Sequence, residues 1–408
     1  MVSVEQALEI VLRETPALAA EEVPLDDALG RVLARDVIAD RDLPPFDRAA
    51  MDGYALRAAD VLEAPTALEI VGEVRAGEWP ALALGPGEAL RIMTGAPVPE
   101  GATAVQQLEK TQPLDEFRVT ILAAVAEGQN VAPRGSEIRA GEVVLARGRV
   151  VDPAAIGVLA TTGHARVSVA QRPVVALLVT GDEIVDVAQA PGPSQIRNSN
   201  GPAVAAQARL AGARVELLGV APDRQDAIAE ALRRGLAADV LIVSGGVSAG
   251  DYDLVEPALA ELGATLLFTK VKVKPGAPLV FGRCGRALVF GLPGNPVSAQ
   301  VSFDLFVRPA LLKLQGASVL SRPRARVELA AGVRNRSGRK SHMPARVRFE
   351  DGRLVARLLR SAGSGDLVAH ANANALVVLE AEREEAAEGE TAEAVLLGRF
   401  LEDDGAPG

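Results

Sequence analysis

Residues 244–253 combine two adjacent glycines with hydroxyl and carboxylate side chains, a set that could bind a phosphate group. Gly245 and Gly246 lack a Cβ, so their backbone N–H groups could approach phosphate oxygens closely, and a following helix N-terminus would favour the negative charge. Ser244 and Ser248 belong to the same segment. The segment taken alone fits a tight turn between a strand and a helix equally well.

A second polar segment, 292–298, has the same two interpretations. The hydroxyl of Ser298 could donate a hydrogen bond at the start of a helix. The residues of this segment that could face a ligand are Pro293, Gly294, Asn295, Pro296 and Ser298.

Four carboxylates, Glu183, Asp223, Asp251 and Asp253, lie in the loops that would surround such a phosphate. Mg²⁺ binds through one or two carboxylates together with phosphate oxygens, so these side chains indicate a possible magnesium site. Each carboxylate could instead cap a helix or stabilise a turn.

Three lysines, Lys270, Lys272 and Lys274, alternate along a segment that we predict to be a single strand. Side chains two positions apart in a strand point to the same face, so the three would form a compact cationic stripe. A lysine row can also protect an exposed sheet edge from pairing. Lys274 directly precedes Pro275 and Gly276, which favours a loop that holds it against an anion.

Two further dense segments, 46–55 and 91–101, lie in a region of short apolar runs. Asp52 followed by Gly53 fits a type I′ turn, which would be a purely structural role. The spacing alone does not connect these segments with the phosphate loops.

Composition excludes several classes of protein. The formal charge is −10, which argues against general binding to nucleic acid or membrane surfaces. A single Cys284 excludes intrachain disulfides and cysteine-rich metal sites, and the three histidines are scattered. We find neither a signal peptide nor an apolar run of about 18 residues, so we expect a cytoplasmic protein.

The elements that must position these residues follow from hydrophobic periodicity. Ser3 begins a capping box and an amphipathic helix, and we predict a second helix after Pro24. Frequent Gly and Pro from Leu43 to about Leu145 indicate a β-rich module. A helix over 154–160 then follows Asp152 and Pro153, which suggests a discontinuous domain around the module.

From Pro173, apolar runs alternate with helical segments, which predicts a largely parallel sheet covered on both faces. The polar loops would then meet at the carboxyl ends of the strands. The last eighty or so residues return to period-two alternation and indicate a small β domain. The predicted strands are 174–179, 215–220, 240–243, 266–273 and 287–290, and the predicted helices are 202–211, 225–236, 254–262 and 295–314.

Taken together, these segments resemble the molybdopterin molybdenumtransferase family, the enzymes that insert molybdate into adenylylated molybdopterin. The resemblance extends from the first helix to about Leu401. It rests on residues 43–55, 91–101, 128–138, 180–183, 196–200, 244–253, 270–278, 291–299 and 363–379.

The resemblance implies a homodimer in which each chain has four domains. The fold class of the chain would be multidomain α/β plus β. The domains would be a helical domain over 1–42 and 146–172, a β-rich module over 43–145, a Rossmann-like three-layer molybdopterin-binding domain over 173–320 and a β-barrel over 321–402. The active site would lie between the last two domains of one subunit and the β-rich module of the other. The partners that the resemblance implies are a molybdopterin adenylyltransferase and the proteins that mature molybdoenzymes.

The resemblance also assigns roles to individual residues, with Mg²⁺ as cofactor and adenylyl-molybdopterin and molybdate as substrates. Its catalytic set is Asp52, Thr94, Glu183, Asp223, Asp253, Lys270 and Lys274, of which Glu183, Asp223 and Asp253 would hold the metal. Its substrate-binding set is Ser244, Gly245, Gly246, Ser248, Pro293, Gly294, Asn295, Pro296, Ser298, Arg346 and Ser364.

Several positions depart from the family pattern. Ala277 and Ala132 replace common basic residues, Ala49 replaces a frequent serine, and Glu137 replaces a usual aspartate. Residues 338–346 match poorly, which bears on the assignment of Arg346. The charges removed would weaken an anion pocket, whereas Asp52, Asp253, Lys270 and Lys274 are intact.

Two other functions stay open from sequence. The α/β domain also resembles a molybdopterin adenylyltransferase, and relatives of the same fold serve as non-catalytic scaffolds. Trp79, Tyr54 and Tyr252 favour packing roles over a platform for a pterin ring.

Overall fold

The computed structural model describes residues 1–246 and 254–398. The chain forms two compact units: residues 36–146 and 153–166 make up one, and residues 1–35, 147–152 and everything from 167 onward make up the other. The division of the chain into four domains stays a prediction. In the described parts, no helix combines the length and the apolar character that crossing a membrane requires.

The first helix, α1 (Val4–Glu14), begins at the predicted capping box, because Ser3 and Gln6 exchange hydrogen bonds between side chain and backbone. Strand β1 (Ala20–Pro24) follows it. The prediction of a second helix after Pro24 was wrong, since only a single 3₁₀ turn (Leu25–Asp27) forms there. Gly30 at φ +73° turns the chain away directly afterwards, which prevents the helix from extending.

The unit built around residues 36–146 is rich in short strands, as the Gly and Pro spacing predicted. Its largest sheet has six strands in the order β7-β4-β6-β5-β9-β8, and helix α2 (Pro153–Thr161) also belongs to this unit. The strands are β2 (Val37–Ile38), β3 (Arg48–Ala49), β4 (Gly53–Leu56), β5 (Thr66–Val74), β6 (Glu88–Ile92), β7 (Ala104–Gln107), β8 (Thr111–Pro113), β9 (Arg118–Ile121), β10 (Val131–Ala132) and β11 (Val143–Leu145).

The larger unit contains the predicted α/β sheet, and the alternation of apolar strands and helices is confirmed. The strands are β12 (Arg166–Ala170), β13 (Val174–Thr180), β14 (Ile184–Val185), β15 (Ile196–Arg197), β16 (Arg214–Ala221), β17 (Val240–Ser244), β18 (Thr265–Lys270), β19 (Val273–Lys274), β20 (Pro278–Cys284) and β21 (Ala287–Leu292). The helices are α3 (Asn200–Leu210), α4 (Gln225–Gly235), α5 (Val255–Glu261), α6 (Pro296–Ser302) and α7 (Arg308–Leu314).

The main sheet has the order β16-β13-β17-β21-β20-β18. The first four strands pair in parallel, whereas β20 pairs antiparallel with both of its neighbours, β21 and β18. Successive residues of β13 face opposite cores: Val175 and Leu177 pack with α1, α3 and the 296–314 helical segment, whereas Ala176 and Leu178 pack with α4 and α5. Both faces are therefore covered, which explains why the central strands are continuously apolar.

The long helix predicted after Asn295 is interrupted by a π-helical turn, Phe303–Val307, between α6 and α7. Pro309 has no N–H to donate to the preceding turn, so the regular i to i−4 pattern cannot continue through it. The interruption is thus a local consequence of one proline.

The prediction that the three lysines share one strand was wrong. Strand β18 ends at Lys270, and β19 leaves the α/β sheet to pair in parallel with residues 340–341. The backbone of Val2 occupies the break, because its N–H donates to Lys270 O at 3.1 Å and its carbonyl accepts from Lys272 N at 2.8 Å. Pairing with distant segments overrides the local alternation.

The C-terminal region forms a closed five-stranded barrel in the order β24-β25-β22-β28-β26, closed by pairing of β24 with β26. Its apolar interior confirms the predicted small β domain. The strands are β22 (Arg324–Leu329), β23 (Val333–Arg334), β24 (Lys340–Glu350), β25 (Arg353–Leu358), β26 (Ala375–Leu379), β27 (Glu385–Ala386) and β28 (Thr391–Leu396), and α8 spans Leu367–Ala371.

Candidate functional site

A cleft of about 680 Å³ lies at the carboxyl ends of the parallel strands. Strands β13, β17 and β21 end together, since Ser244 is in register with both Val179 and Leu292. Ten predicted residues line the cleft: Glu183, Asp223, Ser244, Gly245, Gly246, Pro293, Gly294, Asn295, Pro296 and Ser298. The structure therefore brings these ten residues together, and their roles stay predictions.

The two glycines after β17 occupy backbone conformations that require glycine. Their φ values are +100° for Gly245 and +65° for Gly246. A Cβ on Gly245 would lie 2.6 Å from the Thr180 carbonyl oxygen, and one on Gly246 would lie 2.8 Å from Val255 Cγ2. The segment is thus a tight turn that also lines the cleft, and phosphate binding by it stays a prediction. Ser248, Asp251, Tyr252 and Asp253 lie outside the described residues.

An acidic group occupies one edge of the cleft. The backbone N–H of Asp223 donates to the Asp182 carboxylate at 3.0 Å. Burial raises the pKa of the Asp223 carboxyl, and repulsion from Asp182 and Glu183 raises this pKa further. Across residues 1–246 and 254–398, no three His, Cys, Asp or Glu side chains come close enough together to hold a metal alone. A cation here would need further ligands, such as phosphate oxygens.

A second cavity of about 470 Å³ separates the α/β sheet from the barrel, and it shares Pro278, Asn295 and Ser298 with the cleft. Its lining is basic on both sides, because Lys274 is the last residue of β19 and Arg339 directly precedes β24. Predicted Ser364 also lines it, and its carbonyl accepts a hydrogen bond from Val297 N at 3.0 Å. The two cavities are therefore neighbours, and the second one suits an anion.

Two of the assigned basic residues lie elsewhere. Neither Lys270 nor Arg346 lines either cavity; Lys270 ends β18, and Arg346 pairs with Arg357 within the barrel. Sequence reasoning missed Arg334 and Arg339, which do line the second cavity. The only available signal was the poorly matching segment 338–346 itself, because it contains two arginines that could be aligned with one family position.

His342 is a buried residue of the second cavity that the sequence analysis did not assign. It is 2% exposed, and among residues 1–246 and 254–398 its Nδ1 has no hydrogen-bond partner. Burial lowers the pKa of this imidazole to about 3, and the positive charges of Lys340 and Arg324 contribute to the shift. The side chain is therefore neutral at physiological pH.

Asp52 and Thr94 lie together in the other compact unit. Asp52 Oδ1 accepts hydrogen bonds from the Thr94 backbone N–H at 2.7 Å and from the Thr94 hydroxyl at 2.8 Å. The type I′ turn was a wrong alternative, since Gly53 begins strand β4 and has no positive φ. Both side chains are exposed, which leaves the Asp52 carboxylate accessible to a ligand.

The aromatic residues and the positions that depart from the family pattern lie in different parts of the structure. Tyr54 packs in an apolar core, as predicted, whereas Trp79 is 72% exposed and contacts only the edge of Phe46 among rings. Ala49 is buried, and Arg48 forms an ion pair with Glu137 at 2.6 Å. Ala277 is 8% exposed and lines the second cavity, and Ala132 lies in strand β10.

Three family models match the chain in order. They describe a MoeA N-terminal region (domain I and II) over residues 2–163, a probable molybdopterin binding domain over 176–313 and a MoeA C-terminal region (domain IV) over 326–397. The second range contains the cleft-lining strand ends, and the third contains the barrel.

Named relatives match over most of their length. A molybdopterin molybdenumtransferase of Bacillus subtilis is 36% identical over 393 residues, 93% of this chain and 90% of that protein. One from Staphylococcus aureus is 35% identical over 321 residues, 78% of this chain and 76% of that protein. The crystal structure of the molybdopterin biosynthesis moeA protein from Pyrococcus horikoshii superposes with a TM-score of 0.83 at 30% identity, covering 97% of this chain and all of that one.

Proposed function

This chain belongs to the molybdopterin molybdenumtransferase family and is a transferase of molybdenum cofactor biosynthesis, and from that premise we propose how its own residues carry the reaction. The proposed reaction inserts molybdate into adenylyl-molybdopterin and releases AMP. The observation that carries the proposal is the adjacency of a glycine-rich cleft and a basic cavity that share Pro278, Asn295 and Ser298. Two anionic substrates could thereby be held side by side.

The cleft suits the pyrophosphate-linked substrate. Gly245 and Gly246 line the cleft, and their backbone N–H groups would donate to phosphate oxygens, as at other strand-to-helix turns that bind phosphate. Ser244 and Asn295 lie at the ends of the neighbouring strands β17 and β21. Ser248, from the same loop, would extend this contact.

The basic cavity suits molybdate. Lys274 and Arg339 would neutralise the dianion, and the Ser364 hydroxyl would help to orient it next to the bound substrate. The family resemblance also assigns roles to Lys270 and Arg346. Neither lines this cavity, so they would contribute only their positive charge, from a greater distance. The buried Ala277 leaves this cavity without the second lysine that many members have.

Mg²⁺ fits the acidic edge of the cleft. Glu183 and Asp223, with Asp253, would hold it. Burial raises the pKa of Asp223 most, and a cation would relieve the repulsion from Asp182 and Glu183 that raises this pKa further. When bound, Mg²⁺ would stabilise the charge that develops as the phosphoanhydride breaks. We expect Asp253→Ala to lose molybdate-dependent AMP release.

The active form would be a homodimer in which Asp52 and Thr94 of one subunit complete the site of the other. Such a protein would work in the cytoplasm, receive its substrate from a molybdopterin adenylyltransferase and deliver its product to molybdoenzyme maturation proteins. Mixing Asp52→Ala with Lys274→Ala tests the shared site, because each mixed dimer would contain one intact site and activity would return to about a quarter of wild type. No recovery in verified mixed dimers would contradict it.

The reaction itself is tested by following AMP and ATP with purified adenylyl-molybdopterin. AMP release that needs molybdate and Mg²⁺, stops with EDTA and consumes no ATP would support the transferase. Consumption of ATP with molybdopterin would instead indicate the adenylyltransferase alternative, and binding without release would leave a scaffold.

A further inference from the structure

Two buried polar atoms on the floor of the cleft have no partner within the described residues. They are Thr180 Oγ1 and Asn200 Oδ1, in residues that are 4% and 8% exposed and that both line the cleft. Buried polar groups are almost always hydrogen-bonded, because an unpaired one keeps its full desolvation penalty. Because both residues line the cleft, a ligand bound there could supply the missing partners.

The orientation of the Asn200 carboxamide is fixed by its neighbours. Its Nδ2 donates to the Gly294 carbonyl and to Ser244 Oγ, both at 2.8 Å. A carbonyl can only accept, so the nitrogen must face Gly294 and the oxygen must be the free atom. Asn200 Oδ1 therefore needs a donor, an N–H or an O–H, whereas a phosphate oxygen could not satisfy it.

Thr180 has the complementary requirement. Its hydroxyl lies directly beneath the glycine turn, since an added Cβ on Gly246 would be 2.9 Å from Thr180 Oγ1 and one on Gly245 would be 3.0 Å from it. Because Thr180 also lines the cleft, a phosphate held in the cleft beside this turn would accept from the Thr180 hydroxyl. The cleft thus offers one unpaired donor, on Thr180, and one unpaired acceptor, on Asn200.

We propose that Thr180 and Asn200 are specificity-determining residues of the cleft: Thr180 donates to a phosphate oxygen and Asn200 accepts from an N–H or O–H of the same substrate. This rests on the proposed function, which places adenylyl-molybdopterin in the cleft. Both halves of that molecule carry N–H or O–H donors as well as a phosphate. A site built in this way rejects an isosteric ligand that lacks the donor, because Asn200 would then remain unpaired.

Thr180→Val is the cleanest test, because it removes an unpaired hydroxyl without changing the shape of the side chain. We expect the melting temperature to stay the same and the binding of AMP or molybdopterin, measured by calorimetry with Mg²⁺, to weaken about tenfold. Thr180→Ser should restore binding. As a matched control, Thr15→Val removes a buried hydroxyl that donates to Val11 O at 2.7 Å, so it should lower the melting temperature and leave binding unchanged.

Asn200→Ala distinguishes the two possible sources of the donor. A loss of affinity confined to AMP places the donor on the nucleotide half, and a loss confined to molybdopterin places it on the pterin half; either supports the proposal. Equal binding of both probes by wild type, Thr180→Val and Asn200→Ala would overturn it. If binding is equal in all three proteins and wild type still releases AMP, this inference alone is refuted. If wild type binds the probes tightly but releases no AMP, only the proposed reaction is refuted.

Discussion

Asp52 and Thr94, 42 positions apart in the sequence, are joined by two hydrogen bonds to a single carboxylate oxygen. The backbone N–H of Thr94 and its hydroxyl both lower the pKa of Asp52, so the carboxylate is ionised and fixed in direction. Two motifs that the family resemblance names separately therefore form one structural unit. Their joint role is to present a negatively charged oxygen at the surface of the β-rich module.

Thr94→Val should impair catalysis without unfolding the chain. The substitution removes the 2.8 Å hydroxyl contact and keeps the backbone contact, so Asp52 loses part of its orientation. We expect kcat for AMP release to fall about tenfold with a smaller change in KM. Thr94→Ser, which retains the hydroxyl, serves as the control, and equal kcat values for the two variants would contradict the positioning role.

Gly53→Ala should strongly destabilise the β-rich module. A Cβ on Gly53 would lie 1.9 Å from the Gln106 carbonyl oxygen on the neighbouring strand, so β4 and β7 would have to separate. We expect a loss of about 3 kcal/mol or more in the free energy of unfolding, measured with denaturant. Gly72→Ala, in strand β5 with no atom within 4 Å of the added carbon, should change it by less than about 0.5 kcal/mol. Similar losses in both variants would refute the steric explanation.

Arg339 and Arg346 can be distinguished by molybdate kinetics. Arg339 lines the basic cavity and Arg346 does not, so Arg339→Gln should raise the KM for molybdate about tenfold while Arg346→Gln has a smaller effect. A larger rise in the KM for molybdate in Arg346→Gln than in Arg339→Gln would instead support the role that the family resemblance assigns to Arg346. Thermal unfolding of both variants would show that neither effect comes from misfolding.

The buried His342 should make stability depend on pH. Its pKa in the folded chain, about 3, lies below the ordinary value of 6.5, so unfolded chains bind the proton more readily. The contribution of neutral His342 to the free energy of unfolding is complete above about pH 6.5 and is lost as the pH falls towards 3. At pH 5 this contribution is smaller by about 2 kcal/mol than at neutral pH.

His342→Phe removes this titration. Between about pH 7.5 and pH 5, we expect the free energy of unfolding to decrease by about 2 kcal/mol more in wild type than in His342→Phe. Thr15→Val, which leaves His342 in place, is the control and should keep the wild-type slope. Parallel curves for His342→Phe and wild type would contradict the assignment of this acid sensitivity to His342.

Local patterns predicted much of the fold, because the strands of the α/β sheet are continuous apolar runs and their polar ends meet at one edge. Residues 244–246 and 292–298 could thus be assigned to one cleft before the structure was known. The break after Lys270 could not be predicted, since it depends on Val2 and on strand β24 far along the chain. Thr180 and Asn200 lie in two segments that carry the family resemblance, but they received no role, because an unpaired buried atom becomes visible only when all of its neighbours are placed.

The most direct test of the central claim is AMP release from adenylyl-molybdopterin and Mg²⁺, with and without molybdate, by wild type and Asp52→Ala. We predict release by wild type that depends on molybdate and collapses in Asp52→Ala, although that variant remains folded. Release that ignores molybdate, or that Asp52→Ala retains in full, would contradict the account.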